Sequence, residues 1–375
     1  MRIAVDARQV FRPQRRGIGK TLINLYATLA VRRPAWHFLL LHQTKATVTQ
    51  LEGLRNLTRS RIDFFGLNRF ELWEQAVLPT FALATRADIL HSPANTGPKR
   101  SSVPVVVNIH DLIPYELAPE TAEAQLWLFR VRQIAERAKH ILTGSEYSKH
   151  RLMEVLNTPA EKITVNPWAA DRNTRHITDP VELDTIRVKY GLHPAEPYAF
   201  GFGASDPRKN TAKLIRAYAN LPASVRATYR LLLVGIQDEA LPQFRKQADE
   251  AGLGDRVILH GFTEESDISG LLSGARLLCF PSRYEGFGLP ILDAFVCRTP
   301  VLTGNRTSLP EVAGDAALLL DPDDDDALRD GLHSLLTNES LRQELITGGV
   351  IRSELFTWER TADTVAKVFE TVAQS

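Results

Sequence analysis

What most constrains this chain is an alternation of short apolar runs with longer stretches of helical apolar spacing, and the alternation occurs twice. In the first half the runs are Arg2–Asp6, His37–Leu41, Arg61–Phe65, Asp88–His91, Pro104–His110, His140–Thr143 and Ile163–Asn166. Between them lie amphipathic stretches, among them Thr21–Val31, Phe70–Ala84, Thr121–Lys139 and Ser145–Leu156. Strands buried on both faces read as continuous apolar runs, and parallel strands need a crossover between them, usually a helix. The pattern predicts an α/β fold with a doubly wound, mostly parallel sheet. In such sheets ligands bind beyond the carboxyl ends of the strands, so the loops there carry the functional expectations.

Between Trp168 and Leu183 the periodicity lapses and Asp, Asn, Thr and Pro become abundant, which marks a linker. Alternation then resumes, with strands expected at Tyr198–Gly203, Tyr229–Val234, Val257–His260, Arg276–Phe280, Pro300–Thr303 and Ala316–Leu320. A chain of 375 residues is long for one core and suits two domains. Their expected extents are residues 1–180 and 181–356, and their strand ends are expected to face a common cleft. A last helix, 357–375, with Thr357 as its N-cap, should pack back onto the first domain.

Charge separates the halves. Residues 1–180 hold 25 Lys and Arg against 16 Asp and Glu, and the rest holds 20 against 28. A basic first half suits an anionic partner such as a lipid headgroup, a polyprenyl diphosphate or a nucleic acid; a merely solvated basic face reads equally well. No apolar run approaches the roughly 20 residues that span a bilayer. The opening Arg2–Asp6 reads as a strand rather than a signal peptide, and the two cysteines, Cys279 and Cys297, lie inside apolar elements. A cytoplasmic protein is expected.

One loop stands out. Ser282-Arg283-Tyr284-Glu285-Gly286-Phe287-Gly288-Leu289-Pro290 joins the apolar run 275–280 to a helical pattern that includes Asp293. A tight glycine loop opening a helix aims backbone N–H groups and the positive end of the dipole at one point, which suits a diphosphate. Glu285 and, eight residues on, Asp293 could bind hydroxyls of a sugar and a ribose; an ordinary strand-to-helix turn with a surface acid is the plainer reading. Arg208 and Lys209, after the strand 198–203, add two cations at an expected helix start. In the first half, Arg15-Arg16-Gly17-Ile18-Gly19-Lys20-Thr21 resembles a Walker A loop only in part, because Gln14 stands where that pattern needs glycine. Gly17 and Gly19 still offer a phosphate a close approach to backbone. His110-Asp111 lies where a catalytic or substrate-binding pair would sit, or where a histidine is simply satisfied by backbone. Ser145 reads as a helix N-cap, and the acidic run Asp321–Asp326 as a solvated loop and cap. No cluster has metal-ligand spacing, so no metal is expected.

These pieces together resemble the family-four retaining glycosyltransferases, which have the two-Rossmann-domain GT-B architecture. The likeness spans essentially the whole chain. It is carried in order by Gly17-Ile18-Gly19, His110-Asp111, Thr143-Gly144-Ser145-Glu146-Tyr147-Ser148, Pro207-Arg208-Lys209-Asn210, Leu233-Val234-Gly235 and Val257-Ile258-Leu259-His260-Gly261-Phe262. Glu285-Gly286-Phe287-Gly288-Leu289-Pro290 and Leu309-Pro310-Glu311-Val312 complete it.

The resemblance implies transfer of a sugar from a nucleotide diphosphate donor with retained anomeric configuration, and no cofactor or metal. It assigns the first domain to the acceptor and the second to the donor. Arg208 and Lys209 match the residues holding the diphosphate, helped by Gly17, Gly19 and the backbone of Gly286, Phe287, Gly288 and Leu289. Glu285 matches the acid on the donor sugar, His110 the residue near its anomeric carbon, and Phe262 and Asp293 nucleotide contacts. Asp293 departs from the family's usual Glu and is one methylene shorter. Trp73-Glu74-Gln75 with Leu78-Pro79 and His91-Ser92-Pro93 resembles members that build mannose- or rhamnose-containing polysaccharides, which makes GDP-mannose the expected donor. The expected acceptor is a growing or polyprenyl-diphosphate-linked glycan at an anionic membrane face, with no nucleic acid as partner. A non-catalytic relative that binds sugar nucleotides, as a scaffold or partner subunit, and a P-loop nucleotide enzyme are the alternatives.

Overall fold

The structure, a computed structural model, describes residues 1–12, 17–62 and 70–374. The chain divides into two compact units: Met1–Asp171 with the residues from Phe356 onward, and Arg172–Leu355. The division falls at Asp171, earlier than the expected 180, because the linker soon becomes ordered structure of the second unit. Asp179 caps a helix that starts at Pro180, accepting from the Val181 N–H, and a proline is tolerated in a first helical turn.

The first unit is built on a parallel sheet of β1 (Arg2–Asp6), β2 (His37–His42), β3 (Leu57–Arg61), β4 (Ile89–Ser92), β5 (Val105–Asn108), β6 (His140–Thr143) and β7 (Ile163–Val165). The order is β3-β2-β1-β4-β5-β6-β7. β4 and β5 are buried at every residue, which is why they read as unbroken apolar runs. β3 differs from the expected Arg61–Phe65. It lies at Leu57–Arg61, an edge strand without a fully buried residue, and so lacks the apolar signature of its neighbours; residues 63–65 fall outside the described residues.

Side chains alternate across the sheet. Ile3 and Val5 enter one core with Leu22, Tyr26 and Leu29 of α1 (Gly17–Arg32), while Ala4 enters another with Trp73, Leu78 and Leu90. The stretch 70–84 is helical throughout but widens at Trp73–Val77 into a π turn, a feature often found at functional sites.

The second unit carries β8 (Tyr198–Phe202), β9 (Arg230–Val234), β10 (Val257–Leu259), β11 (Leu277–Phe280), β12 (Val301–Gly304) and β13 (Leu318–Leu320). This sheet is also parallel, in the order β10-β9-β8-β11-β12-β13. Its helices include α2 (Thr211–Ala219), α3 (Glu265–Ser273) and α4 (Leu289–Val296). Cys279 and Cys297 are buried and unbridged.

The last helix, α5 (Trp358–Ala373), is capped by Thr357, whose hydroxyl accepts from the Arg360 N–H. It packs in the first unit. Trp358, Val365 and Phe369 join the core of β1, β2 and α1. The Trp358 indole donates to Ala170 O at 2.7 Å, and the Thr361 hydroxyl donates to Pro167 O at 2.7 Å. Phe369 is fully buried, edge-on to His91 at 5.2 Å between ring centres. Replacing Phe369 by Ala should destabilise the first unit by about 3–5 kcal/mol, the usual cost of deleting a core ring. Denaturant unfolding followed by circular dichroism checks this, and an unchanged midpoint would contradict the packing.

Candidate active site

The second unit concentrates charge around one carboxylate. After β11, the chain turns through residues 281–288 into α4. Gly288 sits at φ +123°, and a Cβ there would also crowd Leu309 at 3.1 Å, so this bend calls for glycine. The turn is held from outside itself. The Asn210 side chain, at a left-handed φ of 57°, donates to Pro281 O at 2.9 Å and Pro322 O at 2.8 Å. The Ser308 hydroxyl lies 2.8 Å from the carbonyl oxygens of both Glu285 and Phe287. The Glu285 N–H donates to the Thr307 hydroxyl at 3.2 Å.

Three donors converge on Glu285 Oε1: Lys209 Nζ at 2.6 Å, Ser282 Oγ at 2.6 Å and Arg208 Nη1 at 2.8 Å. Arg208 also donates to Tyr284 O at 2.9 Å and from Nε to Asp206 at 2.7 Å, while Lys209 Nζ lies 4.7 Å from the centre of the Phe280 ring. Burial alone would raise the Glu285 carboxyl; the charges of Lys209 and Arg208, with the bonds from Lys209 and Ser282, outweigh it and hold it below its ordinary value. Glu285 is therefore an anion at neutral pH. Arg208 and Lys209 do not open α2 as the sequence suggested. They occupy a separate 3-10 turn, Pro207–Lys209, capped by Asp206, and left-handed Asn210 separates it from the helix. The break lets both cations point at β11's loop rather than along a helix surface.

Of the other residues singled out in this unit, Gly286 and Phe287 are buried in the turn and Leu289 begins α4. Asp293, one turn further, accepts from the Thr174 hydroxyl at 3.0 Å. Phe262 stands apart from the carboxylate cluster's bonds and is 72% exposed. The sequence gives no role to Ser282, Thr307, Ser308, Asn210 or Thr174. Three of them have a signal: Ser282 opens the glycine loop, Asn210 closes the Pro207-Arg208-Lys209-Asn210 motif, and Ser308 directly precedes Leu309-Pro310-Glu311.

In the first unit, Gly17 and Gly19 form the first turn of α1, Gly17 exposed and Gly19 buried. Gln14, Arg15 and Arg16, which entered the phosphate-loop comparison, lie outside the described residues. His110, just past β5, is held on two sides. Its Nε2 lies 2.8 Å from Pro93 O, so Nε2 carries the proton, and its backbone N–H donates to Asn95 Oδ1 at 2.7 Å. Its Nδ1 is buried with no hydrogen-bond partner, and the ring meets Trp168 edge-on at 5.0 Å. Asp111 accepts from the Ile113 N–H at 3.1 Å. Beside these, at the end of β1, Asp6 and Glu74 share Arg8. Arg8 Nη2 lies 2.6 Å from Asp6 Oδ2 and 2.8 Å from Glu74 Oε1. Burial raises the Glu74 carboxyl despite its bonds to Arg8 and Thr96.

His110 and His91 are both neutral. Burial lowers each to about 4 from the ordinary 6.5, against the hydrogen bonds that His110 makes to Pro93 and His91 to Asn108. A group whose pKa is depressed by folding binds more protons when unfolded. Its stabilising effect is thus complete above pH 6.5 and disappears as the pH falls toward 4. Each ring accounts for roughly 3 kcal/mol over that window. Denaturant midpoints should fall over that window in wild type and fall less steeply in His91→Gln; identical slopes would contradict the assignment.

Residues 15–173 match the model of Glycosyltransferase Family 4, and residues 183–350 match that of Glycosyl transferases group 1. The chain is 31% identical to O-antigen chain mannosyltransferase B of Escherichia coli over 362 residues, 92% of this chain and 93% of that protein. It is 28% identical to the MMP alpha-(1->4)-mannosyltransferase of Mycolicibacterium hassiacum over 71% of this chain and 65% of that one. Among solved structures it resembles the sucrose-phosphate synthase of Thermosynechococcus elongatus, with a TM-score of 0.77 at 21% identity and all of both chains covered. An Anabaena protein in complex with UDP-glucose gives a TM-score of 0.75 at 18% identity, with 99% of each chain covered. With two parallel-sheet units in this order and a relative matched along its length, the chain belongs to the family-four glycosyltransferases and has the GT-B fold.

Proposed function

We propose that this glycosyltransferase moves mannose from GDP-mannose, with retained anomeric configuration and without a metal, onto a lipid-linked or growing glycan in polysaccharide biosynthesis. The observation that carries the donor half of this reading is the meeting of Lys209, Arg208 and Glu285. The relative at 31% identity, an O-antigen chain mannosyltransferase, supports the sugar and the acceptor class.

In this reading Lys209 and Arg208 turn to the donor diphosphate at the N-terminal end of α4. Fixed cations aimed where negative charge grows stabilise the departing diphosphate, the task a divalent ion performs elsewhere. All three protein donors sit on one oxygen of Glu285, and its other oxygen takes a sugar hydroxyl. His110 is assigned, through the family likeness, to the sugar near its anomeric carbon; as a neutral ring it accepts a hydrogen bond at Nδ1 rather than donating a proton there. The bond from the anomeric carbon to phosphate breaks, the acceptor oxygen bonds to the same face, and the leaving phosphate takes the acceptor's proton. The family likeness assigns Gly17, Gly19 and the backbone of residues 286–289 to the diphosphate, Phe262 to the nucleotide and Asp293 to the ribose. Among the described residues no helix is long and apolar enough to cross a membrane. The basic first half suits peripheral contact with the anionic inner face, where each exposed cation contributes about 1 kcal/mol.

The test is a nucleotide-sugar panel with lipid-linked acceptors in the presence of a chelator. GDP-mannose should be consumed with an α-configured product by NMR, and Lys209→Ala should lower kcat/KM by about 100- to 1000-fold. Retention on anionic vesicles should fall as salt rises. Inversion, a strict metal requirement or preference for another donor would each overturn the corresponding part. Donor binding without turnover would favour a non-catalytic relative.

A further inference from the structure

The segment that opens the second unit is stitched along the edges of α3 and α4. Thr174 Oγ1 donates to Asp293 Oδ1 at 3.0 Å, and the Arg175 N–H donates to Ser269 Oγ at 3.2 Å. His176 Nδ1 lies 2.9 Å from Cys297 O, and the Ile177 N–H donates to Ser273 Oγ at 3.0 Å. Ile177 is buried. Thr174 is thus no loose surface residue; the backbone just beyond it is fixed at successive points, and its hydroxyl is held over one oxygen of Asp293.

Asp293 lies on the face of α4 that stays accessible. Leu289, Pro290, Asp293 and Val296 are its only partly exposed residues, a spacing that places Leu289, Asp293 and Val296 on one side. Leu289 is at the end that would receive the diphosphate, and Asp293 is just over one turn below, about 6 Å along the axis. That is where the ribose of a bound nucleotide would follow its phosphates. Aspartate, however, is a methylene short for this task.

We propose that Thr174 supplies the missing reach: its hydroxyl donates to Asp293 and accepts from a ribose hydroxyl of the donor nucleotide. A hydroxyl has one proton and two lone pairs. Asp293, an acceptor, takes the proton, so Thr174 can meet a further partner only as an acceptor, and a ribose hydroxyl is a donor. The resulting chain, ribose O–H to Thr174 to carboxylate, is polarised by the charge at its end. The inference rests on the reading of Asp293 as the ribose contact, and it assigns a nucleotide contact to the linker segment, where the family likeness places none.

The experiment titrates GDP and 2′,3′-dideoxy-GDP, with UDP and its dideoxy form run beside them, into wild type, Thr174→Val and Thr174→Ser. Wild type should prefer the ribonucleotide. Thr174→Val should weaken ribonucleotide binding about tenfold and leave the dideoxy form unchanged, while Thr174→Ser keeps the wild-type ratio. Equal weakening of both nucleotides in Thr174→Val would mean that Thr174 only anchors the linker, and no weakening would mean that it is idle; either overturns the proposal. A wild type that binds no nucleoside diphosphate would instead overturn the underlying reading, and this one with it.

Discussion

A carboxylate taken out of water has to be compensated, and the compensation of Glu285 organises the second unit. Arg208 and Lys209, which follow β8, and Ser282, in the same loop after β11, meet its carboxylate, while Thr307 and Ser308, which follow β12, hold its backbone. Those three strands are adjacent in a parallel sheet, so their carboxyl ends arrive together. Only a parallel arrangement delivers consecutive loops to one edge in this way. The paired cations are worth little as a stability device, since buried ion pairs roughly break even. Their arrangement makes better sense as a site that keeps two positive charges in place for an anionic ligand.

The first unit sets neutral histidines beside the charged trio of Asp6, Arg8 and Glu74. His110 is pinned through Nε2 and its backbone, which leaves Nδ1 as a fixed acceptor. His91 bridges Tyr26 and Asn108 in the layer beneath. The loop after β4 is clamped from its other side by Gln75, which donates to Gly97 O and accepts from the Lys99 N–H. Gln75 lies in the π turn at Trp73–Val77, and that turn also carries Glu74 to Arg8. The Trp73-Glu74-Gln75 motif thereby gains a physical content: a widened helical turn that holds both the β1 and the β4 loop.

Much of this was legible in the sequence because buried parallel strands are continuous apolar runs. Glu285, Gly288, Arg208 and Lys209 could be found because the loops after such runs are where ligands bind. The failures have physical causes. β3 is an edge strand with no apolar signature, so periodicity puts it four residues late. The 3-10 turn at Pro207–Lys209 reads as helix by composition, and only the left-handed Asn210 ends it. Asp179-Pro180 is a local helix start inside a stretch whose composition reads as linker. Thr307, Ser308 and Thr174 act through tertiary hydrogen bonds, and no periodicity records those. Their types are common in any loop, so proximity alone reveals them.

The central claim is a division of labour in which Lys209 and Arg208 bind the diphosphate and Glu285 binds the sugar. Calorimetric titration of GDP and GDP-mannose into Glu285→Gln tests it most directly. The account predicts that the variant binds GDP at least as tightly as wild type, because Glu285 no longer neutralises Lys209 and Arg208, and loses the added affinity for GDP-mannose. Loss of GDP binding in step with loss of GDP-mannose binding would contradict it, and would make Glu285 a structural support for the cations rather than a ligand of the sugar.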